Sequence, residues 1–368
     1  MTILKTVLIS TMKADFHSHC AAEAIADTGH SPILWYSEEL TQKLRVSIHH
    51  PAGGGDGVIA VREDGEGIAL PPDTIWMRRP QQPVVCGIHE DDMEFARIEA
   101  RDFDRNLWAV IGDNALWVNQ PGAARRANNK VFQLRAADRL GIRTPKSLFS
   151  NDPDEIRRFI NQLGGNAIFK TYHPGFWKDD GRWASVFSSR IGLERLPSDH
   201  LLQASPGIFQ EEIKKAFELR ITCFGDTAVA ARLNSQGSAR TRTDWRADPD
   251  GVPTEPFRLP ESVQEACRAL MKALGLAYGA MDWIVTPEGE YVFLEVNEQG
   301  QCLWVEGYCP DVPILQCLTE FLVHGEVRSD PNVPPDRLRL EDYRKRVSER
   351  LDEDMNAKEA LASASKIA

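Results

Sequence analysis

Late in the chain two apolar runs lie close together, Gly279 to Val285 and Tyr291 to Glu295. Polar donors interrupt or follow them at Asp282, Glu295 and Asn297. Runs this rich in Val, Ile, Phe and Trp read as adjacent antiparallel strands. Side chains alternate along a strand, so Glu295 and Asn297 point to the same face. Asp282 on the neighbouring strand can face them. A carboxylate in so apolar a setting costs free energy unless it is paired. Three oxygen donors converging on one sheet face suit Mg²⁺, which takes few protein ligands and often bridges phosphates. The plainer reading is a polar rim on an ordinary hairpin.

A site that holds phosphates also needs cations. Lys170 ends the apolar strand Ala167-Ile-Phe-Lys170, where an ammonium demands an anion. Lys130 lies in a basic helix from Ala123 to Leu140 and, taken alone, is a surface lysine. His173-Pro-Gly175 is a flexible loop whose N–H groups could cover phosphates, and His173 to Trp183 is the expected lid. Gly207 to Ile213 runs as a strand into Glu211 and Glu212, which suits a linker offering backbone groups to adenine. It also fits a strand end with a charged rim. Arg220 and Arg232 stand in apolar strands, as forked donors for phosphate or carboxylate or as partners of nearby acids.

The rest of the sequence frames these residues. With 368 residues, two or three domains are expected. Thr6 to Ser10, a helix from about Ala14 to Asp27, and Ile33 to Tyr36 give a β-α-β opening and a small doubly wound domain. A hairpin is read around Val58 to Val61, a strand at Thr74 to Arg79, and an amphipathic helix from His89 to Val110 with Phe95, Ile98, Phe103 and Leu107 on one side. The composition shifts at Asn119-Gln-Pro-Gly. The expected partition is 1–120, an α/β domain; 121–205 and 206–325, two α+β subdomains; and 326–368, a Pro-rich linker and charged helix. On that last helix Leu340, Tyr343, Val347, Leu351 and Met355 recur at helical spacing, for docking on its own domain or on a partner.

A net charge of −11 argues against a general nucleic-acid or membrane-surface binder, though not against a local basic cleft. Seven cysteines without a CxxC pair fit reduced thiols in a cytoplasmic protein. Signal-peptide and bilayer-length patterns are absent from the sequence. His17-Ser-His19-Cys20 and the pair Cys302 and Cys309 read as packing residues rather than a metal site or a nucleophile.

The order of the polar elements carries more than any one of them. Lys130, Lys170, Gln210-Glu-Glu-Ile213, Glu218-Leu-Arg220, Arg232, Asp282 and Glu295-Val-Asn297 resemble the ATP-grasp ligases of the glutamate-ligase type, over about Asn119 to Val323. More narrowly, Trp76-Met-Arg-Arg-Pro80, Asn128-Asn-Lys130, Ser235-Gln236 and Asp244-Trp-Arg246 look like the microviridin-type peptide maturases, or graspetide synthetases. Leu233-Asn234 stands where that family often has Ile-Asp.

The resemblance implies an ATP-grasp fold behind an N-terminal doubly wound pre-ATP-grasp domain. It implies ATP and Mg²⁺, a ribosomally made precursor peptide as substrate, ester or amide cross-links made through an acyl phosphate, and a homodimer. Lys130 and Lys170 would meet the ATP phosphates. Glu211 and the backbone of Glu212 and Ile213 would hold adenine, and Glu218 the ribose. Asp282, Glu295 and Asn297 would bind magnesium. Arg220 and Arg232 would be catalytic, and Ser235, Asp244 and Arg246 would lie at the peptide. A ligase joining free amino acids or small acids, and a non-catalytic ATP-binding scaffold, are the alternatives.

Overall fold

The computed structural model describes residues 3–50, 57–172, 176–179, 182–185 and 188–367. The chain opens with β1 (Thr6–Thr11), α1 (Phe16–Asp27) and β2 (Ser31–Tyr36). Asp15 caps α1 by accepting from the Ser18 N–H at 2.9 Å. There follow β3 (Leu44–Ile48), β4 (Val58–Arg62), β5 (Thr74–Met77), α2 (Met93–Val110) and β6 (Leu116–Val118). Strands β2-β1-β5-β6 form one parallel sheet, the doubly wound opening read from the sequence. The hairpin expected around Val58 takes its first strand earlier, from β3. On α2 only Leu107 and Trp108 are buried, whereas Phe95, Ile98 and Phe103 are exposed.

The basic helix expected from Ala123 to Leu140 is two helices, α3 (Pro121–Ala127) and α4 (Lys130–Arg139). Asn129 breaks it by capping α4, accepting from the Phe132 N–H at 2.9 Å. Lys130 is therefore the first residue of α4. Next come β7 (Ser147–Ser150), α5 (Pro153–Gln162), β8 (Asn166–Lys170), β9 (Phe176–Asp179), β10 (Arg182–Ser185), β11 (Ser189–Gly192), α6 (Asp199–Ala204) and β12 (Gly207–Gln210). Strands β11-β8-β12-β7 make an antiparallel sheet backed by Ile156 and Ile160 of α5. The expected lid, His173 to Trp183, includes residues 173–175 and 180–181, which lie outside the described residues. Its β9 and β10 pair antiparallel.

The third sheet is the platform of the molecule. It contains β13 (Phe217–Phe224), β14 (Thr227–Leu233), β15 (Thr254–Pro256), then α7 (Glu261–Leu274), β16 (Tyr278–Val285) and β17 (Tyr291–Asn297), in the order β15-β14-β13-β16-β17. Its back face, with Leu219, Ile221, Ala230, Met281, Trp283 and Phe293, packs on α4 and α7. Its front face carries Glu218, Arg220, Asp282 and Glu295. One irregularity sets this arrangement. Asp282 pairs with Glu295 but Trp283 pairs with Phe293, so Leu294 is an extra residue in β17. This β-bulge puts Phe293 on the back face and Glu295 on the front, although they are two residues apart.

Helices α8 (Leu303–Tyr308), α9 (Ile314–His324) and α10 (Leu340–Ile367) end the chain. Leu340, Tyr343 and Val347 of α10 are buried in a cluster with Cys20, Ala21 and Ile25 of α1. Arg346 and Arg350 pair with Asp27 and Glu23 of α1, and Asp354 accepts from His19 and from the Ala14 N–H. The terminal helix thus docks on its own chain. All seven cysteines are free thiols. Among the described residues, no helix is long and apolar enough to cross a membrane.

Candidate active site

Lys130, Lys170, Arg220, Asp282, Glu295 and Asn297 line one cleft of about 760 Å³. They come from α4, from the end of β8, and from β13, β16 and β17. Helix α4 is fixed to β17 by Gln133, whose side chain donates to the Val296 carbonyl at 2.8 Å and accepts from the Val296 N–H at 2.9 Å. That lock sets the Lys130 ammonium on Oε2 of Glu295. Burial opposes the charge of Glu295, but Lys130 and Lys170 outweigh it and hold the carboxyl well below its usual range. Burial lowers the ammonium pKa of Lys170, and the Glu295 charge opposes that effect.

Arg220 is buried and pairs with Asp282 at 2.8 Å through Nη1. Its Nη2 donates to the Gln301 carbonyl at 3.0 Å. Lys130 and Arg220 are thus each matched by a carboxylate of the same sheet face. The donor set, two carboxylates and one amide at the edge of a cavity wide enough for a polyphosphate, fits magnesium: hard oxygens, few of them, with room for water and phosphate.

Beyond Lys170 the cleft continues into a narrower slot lined by Ile168, Ile213, Ile284 and Leu294, with Glu211, Glu212 and Glu218 at its rim. An apolar slot with a few polar groups at its rim is what a purine requires. The Glu211 N–H donates to the Lys146 carbonyl at 2.8 Å, and Oε2 of Glu211 accepts from the Lys146 N–H. Glu212 pairs with Arg190 at 2.6 Å. Glu218 is buried, which raises its pKa, and it accepts from Lys215 at 3.0 Å and Ser235 at 2.7 Å.

No family model matches the chain. In sequence it is 29% identical over 176 residues to a probable alpha-L-glutamate ligase of Shewanella amazonensis, covering 47% of this chain and 56% of that protein. The chain spans about half to two thirds of the length of the curated relatives it matches. In structure it is similar to a RiPP-associated ATP-grasp ligase of Chryseobacterium gregarium in complex with ADP and a leader and core peptide. That similarity has a TM-score of 0.78 and 27% identity, over 90% of this chain and 100% of that one. The macrocyclase MdnC of Microcystis aeruginosa, bound with precursor peptide MdnA, gives a TM-score of 0.73 and 30% identity, over 86% of this chain and 99% of that one. The chain belongs to the RiPP-associated ATP-grasp ligases.

In this ATP-grasp ligase two expected site residues stand elsewhere. Arg232 pairs across the ladder with Leu219, not with Arg220, so it points to the back of the sheet. There its guanidinium lies 4.2 Å from the Phe217 ring centroid and Nε donates to Asn234 at 2.7 Å. It stands behind the sheet and does not line the cleft, so it has no group placed to act there. Ser235 is fully buried and donates to Glu218, so it positions a rim residue and does not meet a peptide. Arg246 does line the cleft, and Asp244 lines the narrower slot that continues it. Arg246 forks onto Asp244 at 2.8 and 2.5 Å, and this pairing outweighs burial to hold the carboxyl below its usual range.

Other lining residues went unread in the sequence. Trp245 stacks on Trp304 at 4.7 Å, and Tyr308 meets Trp304 edge-on at 6.1 Å, making an aromatic wall. Arg79 lines the same cleft. For Arg79 a signal existed in Trp76-Met-Arg-Arg-Pro80. For Trp304 none did, because one tryptophan in an apolar stretch looks like core.

Proposed function

We propose that this ATP-grasp ligase cross-links side chains of a ribosomally made precursor peptide. A peptide carboxylate oxygen attacks the γ-phosphorus of ATP, the bond to the ADP oxygen breaks, and an acyl phosphate forms. A Ser or Thr hydroxyl, or a Lys amine, of the same peptide then attacks the acyl carbon, and phosphate leaves. The product is an ester or an amide. The observation that carries this reading is the single cleft in which two lysines, Arg220 and the donors Asp282, Glu295 and Asn297 converge.

Lys130 and Lys170 would hold the phosphates, and Arg220 would stabilise charge as it shifts during transfer. Asp282, Glu295 and Asn297 would hold Mg²⁺, which supplies charge neutralisation of the polyphosphate. Glu211, Glu212 and Ile213 would hold the base and Glu218 the ribose. Asp244, Arg246 and the Trp245–Trp304 wall would seat the peptide, next to the face offered by Arg79. A homodimer, and a division into 1–120, 121–205, 206–325 and 326–368, belong to the same proposal.

The two structural neighbours, each described with a precursor or core peptide, support a peptide substrate. The likeness to glutamate ligases favours a second reading, in which free amino acids are joined. Mass spectrometry of a precursor peptide incubated with the protein, ATP and Mg²⁺ separates them. The proposal expects one water lost and one ADP released per ring. ADP release driven by free amino acids, with the peptide mass unchanged, would favour the second.

A further inference from the structure

The segment after Asn297 lines the cleft and is held in an unusual way. Four consecutive carbonyls, from Glu298 to Gln301, each accept a hydrogen bond from a side chain. Asn119 Nδ2 donates to Glu298 at 2.9 Å, and Arg78 Nη1 donates to Gln299 at 2.6 Å. The Tyr278 hydroxyl donates to Gly300 at 2.6 Å. Arg220 Nη2 and Trp304 Nε1 donate to Gln301 at 3.0 and 3.1 Å. A Cβ on Gly300 would stand 2.6 Å from the Ala280 side chain and 3.2 Å from Arg220 Nη2, so the segment presses directly on Arg220.

One of these donors, Arg78, comes from the N-terminal sheet. Arg78 follows β5 of the N-terminal sheet, is 1% exposed, and lies 3.4 Å from Asp15, the cap of α1. Its Nε and Nη2 make no hydrogen bond. A buried arginine with unmet donors is a poor device for stability alone, since an apolar side chain of similar volume fills such a site at less cost. Its directed contact is the Gln299 carbonyl.

We propose that Arg78 is a positioning residue for the reaction: anchored on Asp15, it holds the 298–301 segment so that Arg220 and Asn297 keep their places in the cleft. This rests on the ligase reading above. It makes the N-terminal domain a working part of the phosphoryl-transfer site, with the Arg78 guanidinium as the contact that reaches the middle of the segment.

The test is the double variant Asp15→Asn/Arg78→Met, which removes both buried charges together and keeps a side chain able to cap α1. Cross-linking is measured by mass spectrometry, ADP release by steady-state kinetics, and amide exchange across 298–301 by hydrogen–deuterium exchange. The expected result is a kcat lower by about 10²-fold, as for loss of one preorganised donor. The KM for ATP stays within about threefold, and exchange in the segment rises. A folded variant with near wild-type kcat, or a loss of kcat with unchanged exchange at 298–301, overturns the proposal. If the double variant does not fold, Arg78→Lys is judged by the same criteria, since it keeps the charge beside Asp15 but not the fork. Failure of the wild-type protein to cross-link any precursor sinks the ligase reading instead; the exchange measurement still judges Arg78.

Discussion

Arg220 and Arg232 occupy neighbouring strands in similar apolar settings, yet only one can act on a phosphate. Register decides between them. Phe224 pairs with Thr227 across the two-residue turn Gly225-Asp226, which sets Arg220 opposite Ala231 and Arg232 opposite Leu219. Arg220→Lys should therefore lower kcat by about 10²–10³-fold, the usual cost of losing a preorganised donor at developing charge. Arg232→Met should leave kcat within about twofold and cost its cation–π contact and its hydrogen bond to Asn234, about 1–2 kcal/mol together. Parallel ADP-release assays and thermal melts check the pair. Equal losses of activity in both variants would contradict the assignment of faces. Glu295→Gln is the second test at this scale. It should abolish magnesium-dependent ADP release while the far-ultraviolet circular dichroism is unchanged, because Glu295 sits at the cleft edge and not in a packed cluster.

At the scale of elements, much was legible because periodicity and caps are local properties. The strand pair carrying Asp282 and Glu295, the opening β-α-β unit and the terminal helix all follow from spacing. The turn that would have placed Arg232 was also there to be read. What was not legible depends on long-range pairing. The bulge at Leu294 appears only when β17 meets β16. The break between α3 and α4 is a competition between helix continuation and the Asn129 cap, and docking of α4 on β17 fixes its outcome. His17 is a similar case. It accepts the Cys302 and Leu303 N–H groups at 3.1 Å each, at the start of α8. Burial and the Arg78 charge push its pKa down from 6.5 to about 3. The folded protein therefore keeps it neutral while the unfolded chain takes up a proton below pH 6.5. Stability supplied this way is complete above that value and falls as the pH drops toward 3, by about 1.4 kcal/mol per pH unit for one proton. Denaturant melts of wild type and His17→Gln across that range should show their stability difference shrinking with acid at about this slope. A constant difference would mean that His17 is not the neutral acceptor.

The whole molecule is closed by its two ends. Helix α10 shares a core with α1, and the same cluster takes in Phe224 and Tyr278 of the platform sheet and Leu303 and Val305 of α8. Glu306 of α8 joins these parts, accepting the Leu315 N–H at 2.8 Å and the Leu340 N–H at 2.6 Å. It thereby caps α9 and α10 together, two residues from Trp304 in the cleft wall. Removing residues 340–368 would take away the buried Leu340, Tyr343 and Val347 and expose the α1 surface they cover. At about 1.5–3 kcal/mol for each buried side chain, that loss is a large part of ordinary domain stability, less the ordering cost that α10 no longer bears. The melting temperature of the truncated protein should fall by about 5 °C or more, in line with several kcal/mol in a chain of this size. The kinetic signature should be selective. Among the described residues, Lys130, Lys170 and Glu295 make no hydrogen bond or ion pair with α10, so the KM for ATP should hold. Trp304 and Tyr308 are carried by the helix that Glu306 ties down, so the KM for the peptide should rise. If both constants rise together, α10 supports the fold as a whole and not the peptide wall in particular.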